Sequence, residues 1–148
     1  VGRKAGIMEE KEAGCSLAYG ENRLKFSCFK IDESAIEIGN PYNTSFLVNV
    51  FSDGFSGYGE FECDIKMLQK FVSELRLLYE FKLCSAEFHE ICYGQLVRLT
   101  MDKTGHIAIH GNLYSPAMIQ CLAYEFDADQ TSLRQFILEL ESVMKNYK

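Results

Sequence analysis

The residues able to do chemistry in this sequence are three histidines, six cysteines and several closely spaced carboxylates. His106 and His110 are four apart in an alternating apolar stretch. On a strand rising about 3.3 Å per residue they stand roughly 13 Å apart, too far to share one zinc whose ligands lie within about 2.3 Å. His89 and Cys92 have no second pair at matching spacing, so no metal site is expected. The cysteines, Cys15, Cys28, Cys63, Cys84, Cys92 and Cys121, contain no C-x-x-C pair. Most stand in apolar runs and are expected to be small buried hydrophobes. A Cys–His pair can assemble from distant positions, but no cysteine stands where a helix N-terminus would activate it. Glu60 and Glu62 share a strand face at roughly 7 Å, a spacing compatible with acid–base work; exposed glutamates on one face are more often solubilising. No glycine-rich dinucleotide fingerprint or Walker lysine is present. These residues predict no catalytic centre and no cofactor.

Charge narrows the partners. The net charge of −6 disfavours general nucleic-acid binding, which Lys and Arg carry, and favours cationic partners. The apolar runs are too short to span a bilayer, and the charged start does not read as a secretory signal. The expected location is the cytoplasm. Val1–Ile7 reads as an extension ahead of Met8, where an acidic stretch opens. The expected organisation is an N-terminal extension over 1–20 and a single domain over 21–148.

Short alternating segments fill the first half. Leu24–Lys30, Ala35–Ile38, Ser45–Phe51 and Tyr58–Cys63 are expected as strands, separated by turn residues at 32–34, 39–41 and 52–57. Asp64 stands at a helix N-cap. Beyond it Leu68, Phe71, Val72, Leu75, Leu78 and Tyr79 make one apolar stripe ending near Phe81. The second half repeats the plan: strands at Ser85–Ile91, Leu96–Met101, His106–Leu113 and Met118–Phe126, with Asp102–Gly105 as a hairpin connection. A helix follows over about Gln130–Asn146, capped by Asp129 or Thr131, with the stripe Leu133, Phe136, Ile137, Leu140, Val143 and Met144. Phe61-Glu62-Cys63-Asp64 before one helix parallels Tyr124-Glu125-Phe126-Asp127 before the other. This pattern predicts an α+β fold, a mostly antiparallel sheet with two amphipathic helices on one face, built as two tandem ββββα halves by internal duplication.

Alternation then assigns the open face. With Gly59, Phe61 and Cys63 inward, Tyr58, Glu60 and Glu62 point out. Val97 and Leu99 inward send Arg98 out, Ile107 and Ile109 send His110 out, and Tyr124 and Phe126 send Glu125 out. Glu87 joins this set. Phe55, between two glycines, is either a lid on a sheet edge or an exposed anchor. Phe55, Tyr58, Glu60, Glu62, Arg98, His110 and Glu125 are therefore the candidate contact residues. The commoner role of such a face is a solvated sheet surface.

Phe46-Leu47-Val48-Asn49-Val50, Asp53-Gly54-Phe55-Ser56-Gly57, Phe61-Glu62-Cys63-Asp64 and Leu68-x-x-Phe71 resemble the WapI-like bacterial immunity proteins and related bacterial domains of unknown function. Asp102-x-x-Gly105-His106-Ile107, Glu125-Phe126-x-Ala128-Asp129-Gln130 and Leu133-x-x-Phe136 continue the resemblance. It covers most of the chain after about Leu24 and rests on structural punctuation rather than chemistry. It implies a non-enzymatic antitoxin that binds a cognate contact-dependent polymorphic toxin, tRNA-cleaving nucleases among them; the net charge of −6 makes a basic toxin the expected one. It supplies no catalytic residues. The alternatives read from the residues are a homodimeric structural or regulatory domain using an exposed strand edge, and a small-ligand or hydrolytic protein whose site is dispersed in sequence.

Overall fold

The computed structural model describes residues 14–146; the expected start at Met8 lies outside them. Its elements in order are β1 (Cys15–Tyr19), β2 (Asn22–Ile31), α1 (Glu33–Glu37), β3 (Thr44–Ser52), β4 (Phe55–Cys63) and α2 (Ile65–Tyr79). Then follow β5 (Ser85–His89), β6 (Leu96–Met101), β7 (Ile107–Tyr114), β8 (Cys121–Ala128) and α3 (Gln130–Lys145). The strands form two antiparallel meanders, β1-β2-β3-β4 and β5-β6-β7-β8. The α+β class and the tandem ββββα plan hold. The single sheet does not: each half closes its own four-stranded meander, and the two are not joined by a strand ladder.

Two local expectations are corrected. Ala35–Ile38 is not a strand. Asp32 accepts a hydrogen bond from the Ala35 amide at 3.1 Å and caps α1, with Gly39 at φ +78 just beyond it. Four residues are too few for periodicity to separate helix from strand, and the cap decides. The first half keeps four strands because Cys15–Tyr19, assigned to the extension, is β1. Its Cys15 and Leu17 are buried, and the two-residue turn Gly20-Glu21 pairs Tyr19 with Asn22.

The helices follow their stripes. Asp64 accepts from the Lys66 amide and Asp129 from the Ser132 amide, at 3.0 and 2.9 Å. Leu68, Phe71, Val72, Leu75 and Leu78 of α2 are buried, as are Leu133, Phe136, Ile137 and Leu140 of α3. Both helices pack into a core common to the two halves. Phe46 of β3 lies 5.8 Å from Phe88 of β5, and Phe71 of α2 lies 5.5 Å from Phe88. Phe26 of β2 meets Phe136 of α3 edge-on at 5.3 Å. Rings in these tilted and edge-on geometries add to the burial of their area, and neither half encloses a core alone.

The sheets are fixed to one another by a buried polar node. Glu90, only 2% exposed, accepts from the backbone amides of Glu62, Cys92, Tyr93 and Gln95 and from the Gln95 side chain, at 2.5 to 3.3 Å. Fully buried Gln95 donates to the Glu60 carbonyl at 2.9 Å and accepts from the Tyr114 amide at 2.9 Å. The Ile91 amide donates to the Glu62 carbonyl at 3.0 Å. Gly59 makes room, since a Cβ there would collide with Gln95 Oε1. The β5–β6 loop thus occupies the free edge of β4 and satisfies its backbone groups, which cannot be buried unpaired at low cost. We predict that Glu90→Leu costs about 3 kcal/mol or more in urea unfolding, because it strands several buried donors at once. A loss below about 0.5 kcal/mol would show that the node is not what joins the sheets.

Candidate functional site

Two sheets divide the candidate residues into two surfaces. Tyr58, Glu60 and Glu62 point outward from β4 on the first sheet, beside Asn49, Leu47 and Ser45 of β3. Arg98, His110 and Glu125 point outward from the second. Phe55 shares a strand with Tyr58, but three residues is an odd spacing, which puts the two on opposite sides.

Phe55 is placed by its turn. Ser52 pairs with Phe55 across the two-residue loop Asp53-Gly54, whose φ values are +51 and +87. Two successive positive φ values define the type I′ hairpin that Asp-Gly favours. The hairpin runs against β8, where the Ser52 hydroxyl donates to the Glu125 carbonyl at 3.2 Å. Gly57 admits Leu122, whose Cδ2 would stand 3.1 Å from an added Cβ. The resulting seam holds a concavity of about 480 Å³ lined by Ser52, Asp53, Phe55, Leu122, Tyr124 and Glu125 among others. Phe55 is 69% exposed at its rim.

Glu125 carries the seam onto the second sheet. Its cross-strand partner is His110, which pairs with Arg98, which pairs with Glu87, one row over all four strands. Arg98 Nε lies 2.6 Å from Glu87 Oε2, an ion pair by distance in which the N–H is not aligned for a hydrogen bond. Arg98 also approaches His110 Nε2 at 3.4 Å; a guanidinium can only donate, so that nitrogen accepts. His89 stands 3.0 Å from Glu87, and His106 3.3 Å from Asp127. All three histidines of the chain therefore sit beside acids or Arg98 at this surface. Glu87, bonded to His89 and close to Arg98, is held below the ordinary glutamate range. Asp102, in the hairpin before β7, is lowered as well by bonds from Thr104 and the His106 amide.

Among the described residues no three His, Cys, Asp or Glu side chains converge on a metal position. The thiols depart from expectation: only Cys15 and Cys63 are buried, while Cys28, Cys84, Cys92 and Cys121 are exposed. Cys28 stands at φ +55 where the β2–β3 register shifts, and that bulge turns it out of the core. Burial pushes the Cys15 and Cys63 thiols up to about 12. Cys92 is raised by desolvation and by nearby Glu62, Glu90 and Glu60. Sequence reasoning missed Glu90 and Gln95, whose residue types carry no burial signal. It also missed Asp53 as a rim acid, although its Asp-Gly turn was legible.

Two measurements check these environments. Carboxyl-carbon NMR should give Glu87 a midpoint below the ordinary glutamate value, and His89→Ala should move it back up. The stabilisation linked to Glu87 is therefore present above its unfolded pKa and is lost as pH falls through the lowered folded value. An unmoved midpoint in His89→Ala would remove the His89 contact as its cause. At neutral pH a maleimide should label Cys28, Cys84 and Cys121 in the native protein, Cys92 more slowly, and Cys15 and Cys63 only after unfolding. Native labelling of Cys63 would contradict the buried β4 end.

A search of curated proteins gives no match. Among solved structures, that of Trypanosoma bruciei MRP1/MRP2 is similar over 99% of this chain and 97% of that one, at 8% identity and a TM-score of 0.50. At that identity the likeness concerns the fold alone, the two antiparallel meanders with their helices. The sequence model of the WapI-like immunity proteins matches residues 48–148. The match starts at Val48 rather than near Leu24, and it takes in Phe55, Arg98, His110 and Glu125. With about two thirds of its length matched, this chain belongs to the WapI-like immunity protein family.

Proposed function

We propose that the chain neutralises a cognate protein toxin by docking it on the seam between the β3–β4 hairpin and β8. Phe55 is the anchor, and Asp53, Glu125 and the Glu87–Arg98–His110 row form the polar surround. The observation that carries this reading is Phe55 itself, 69% exposed on a rigid two-residue turn at the rim of a concavity flanked by carboxylates. A large exposed ring on a fixed turn loses little conformational entropy on binding, and aromatic anchors of this kind dominate interface energies.

Family membership supports a toxin as the partner. The acidic rim and the net charge of −6 favour a basic one, whose encounter they would accelerate. A nuclease, tRNA-cleaving ones included, meets that condition because it must hold phosphates. An immunity protein covering its cationic surface would then compete with RNA in the cytoplasm of the producing cell. The role is binding rather than catalysis.

The test begins with affinity capture from the native bacterium under conditions where the toxin is expressed, followed by calorimetry with the captured toxin domain. Phe55→Ala should weaken binding by about 30-fold, roughly 2 kcal/mol, with the fold unchanged. Glu125→Lys should mainly slow association and flatten its salt dependence. Affinity within about twofold of wild type for both folded variants would place the toxin elsewhere.

A further inference from the structure

The outer face of the first sheet is ordered by charge. β2 presents Arg23, Lys25 and Lys30; β4 presents Glu60 and Glu62; between them β3 presents Leu47, Asn49 and Phe51. The register aligns them in rows: Arg23–Phe51–Ser56, Lys25–Asn49–Tyr58, Ser27–Leu47–Glu60 and Lys30–Ser45–Glu62. Among the described residues none of these five charges has an ion-pair partner. Like charges are thus gathered on single strands, and opposite charges stand apart on either side of a partly apolar one. Tyr58, 70% exposed, and Phe51, 38% exposed, border a shallow groove of about 400 Å³ with Arg23, Lys25 and Asn49.

We infer that this face binds a second copy of the same chain. A two-fold axis lying along β3 in the plane between two stacked sheets exchanges the flanking strands, so β2 of one copy lies over β4 of the other. The cationic stripe then meets the anionic stripe twice, as an isologous contact requires. Lys30 faces Glu62 of the second copy, and Leu47 and Phe51 meet their own equivalents on the axis. Each Tyr58 enters the groove between the other copy's Arg23 and Lys25, where its ring can take a cation. No other surface described above is self-complementary in this way. A long nucleic-acid strand laid on Arg23 and Lys25 would run onto Glu60 and Glu62 two strand spacings, about 9.6 Å, away.

The area sets the strength. The three strands β2, β3 and β4 that overlap about this axis, about 4.8 Å apart and about 30 Å long, give a face of roughly 430 Å² per copy, below the roughly 800 Å² of a standard stable interface. The dimer is therefore weak, concentration-dependent and salt-sensitive. The Phe55–β8 seam lies on the other side of β4, so the contact is independent of the docking proposed above and leaves that seam open.

Sedimentation of the toxin-free chain tests it. The wild type should self-associate reversibly below about 1 mM, and raised salt should shift it towards monomer. Glu60→Lys with Glu62→Lys makes both stripes cationic, and Arg23→Glu with Lys25→Glu and Lys30→Glu makes both anionic. Each variant alone should stay monomeric, and an equimolar mixture of the two should associate again. A wild type that remains monomeric over this range overturns the inference, as does either variant associating alone as well as wild type. Should a variant misfold by circular dichroism, the salt titration decides, because self-association insensitive to salt also overturns it. Loss of toxin binding in the Glu60/Glu62 variant of a strictly monomeric protein would give this face to the toxin instead.

Discussion

The structure turns on the carboxylate of Glu90. A charge taken out of water is costly unless it is fully hydrogen-bonded. Here it is surrounded by four backbone amides and the side chain of Gln95. Because those donors come from β4 and from the loop between β5 and β6, satisfying the charge joins one sheet to the other. Gln95 extends the tie to the Glu60 carbonyl and to the Tyr114 amide at the end of β7. Shared burial of Phe46, Phe61 and Phe88 supplies the apolar driving force. Burial alone is non-directional; the polar node, together with the bond from the Ser52 hydroxyl to the Glu125 carbonyl, adds directional ties between the two meanders.

That arrangement creates the seam. With β4 held against the second half, the hairpin at Asp53-Gly54 comes to β8, and Phe55 is left at a rim rather than in a core. The same placement hands Glu125 two roles. Its carbonyl receives Ser52, while its side chain faces outward in register with His110 and Arg98. For the docking proposed above, a surface resting on strands and a two-residue turn is pre-organised, which lowers the cost of binding.

Where the code is local, the sequence was readable. Asp64 and Asp129 cap the two long helices, the stripes of both helices are buried, and alternation placed Glu60, Arg98, His110 and Glu125 outward as observed. Where competing local signals are short, it was not. Ala35–Ile38 has the composition of a strand and folds as a capped turn of helix. Cys15–Tyr19 carries its alternation so close to an acidic start that it resembled an extension. The division into two sheets was hidden because it depends on non-local pairing and on the burial of Glu90 and Gln95, residue types usually exposed. The loop expected over 52–57 includes Phe55; β4 instead begins at that residue, and strand parity puts it on the side opposite Tyr58.

The most direct test of the seam as the toxin-binding surface is amide hydrogen exchange of the chain with and without its captured toxin. The account predicts added protection at 52–55 and 121–125, extending along β7 through His110, with little change at Arg23–Lys25 beyond any self-association measured separately. Protection concentrated on β2 and the outer side of β4, with the 121–125 amides unchanged, would contradict it.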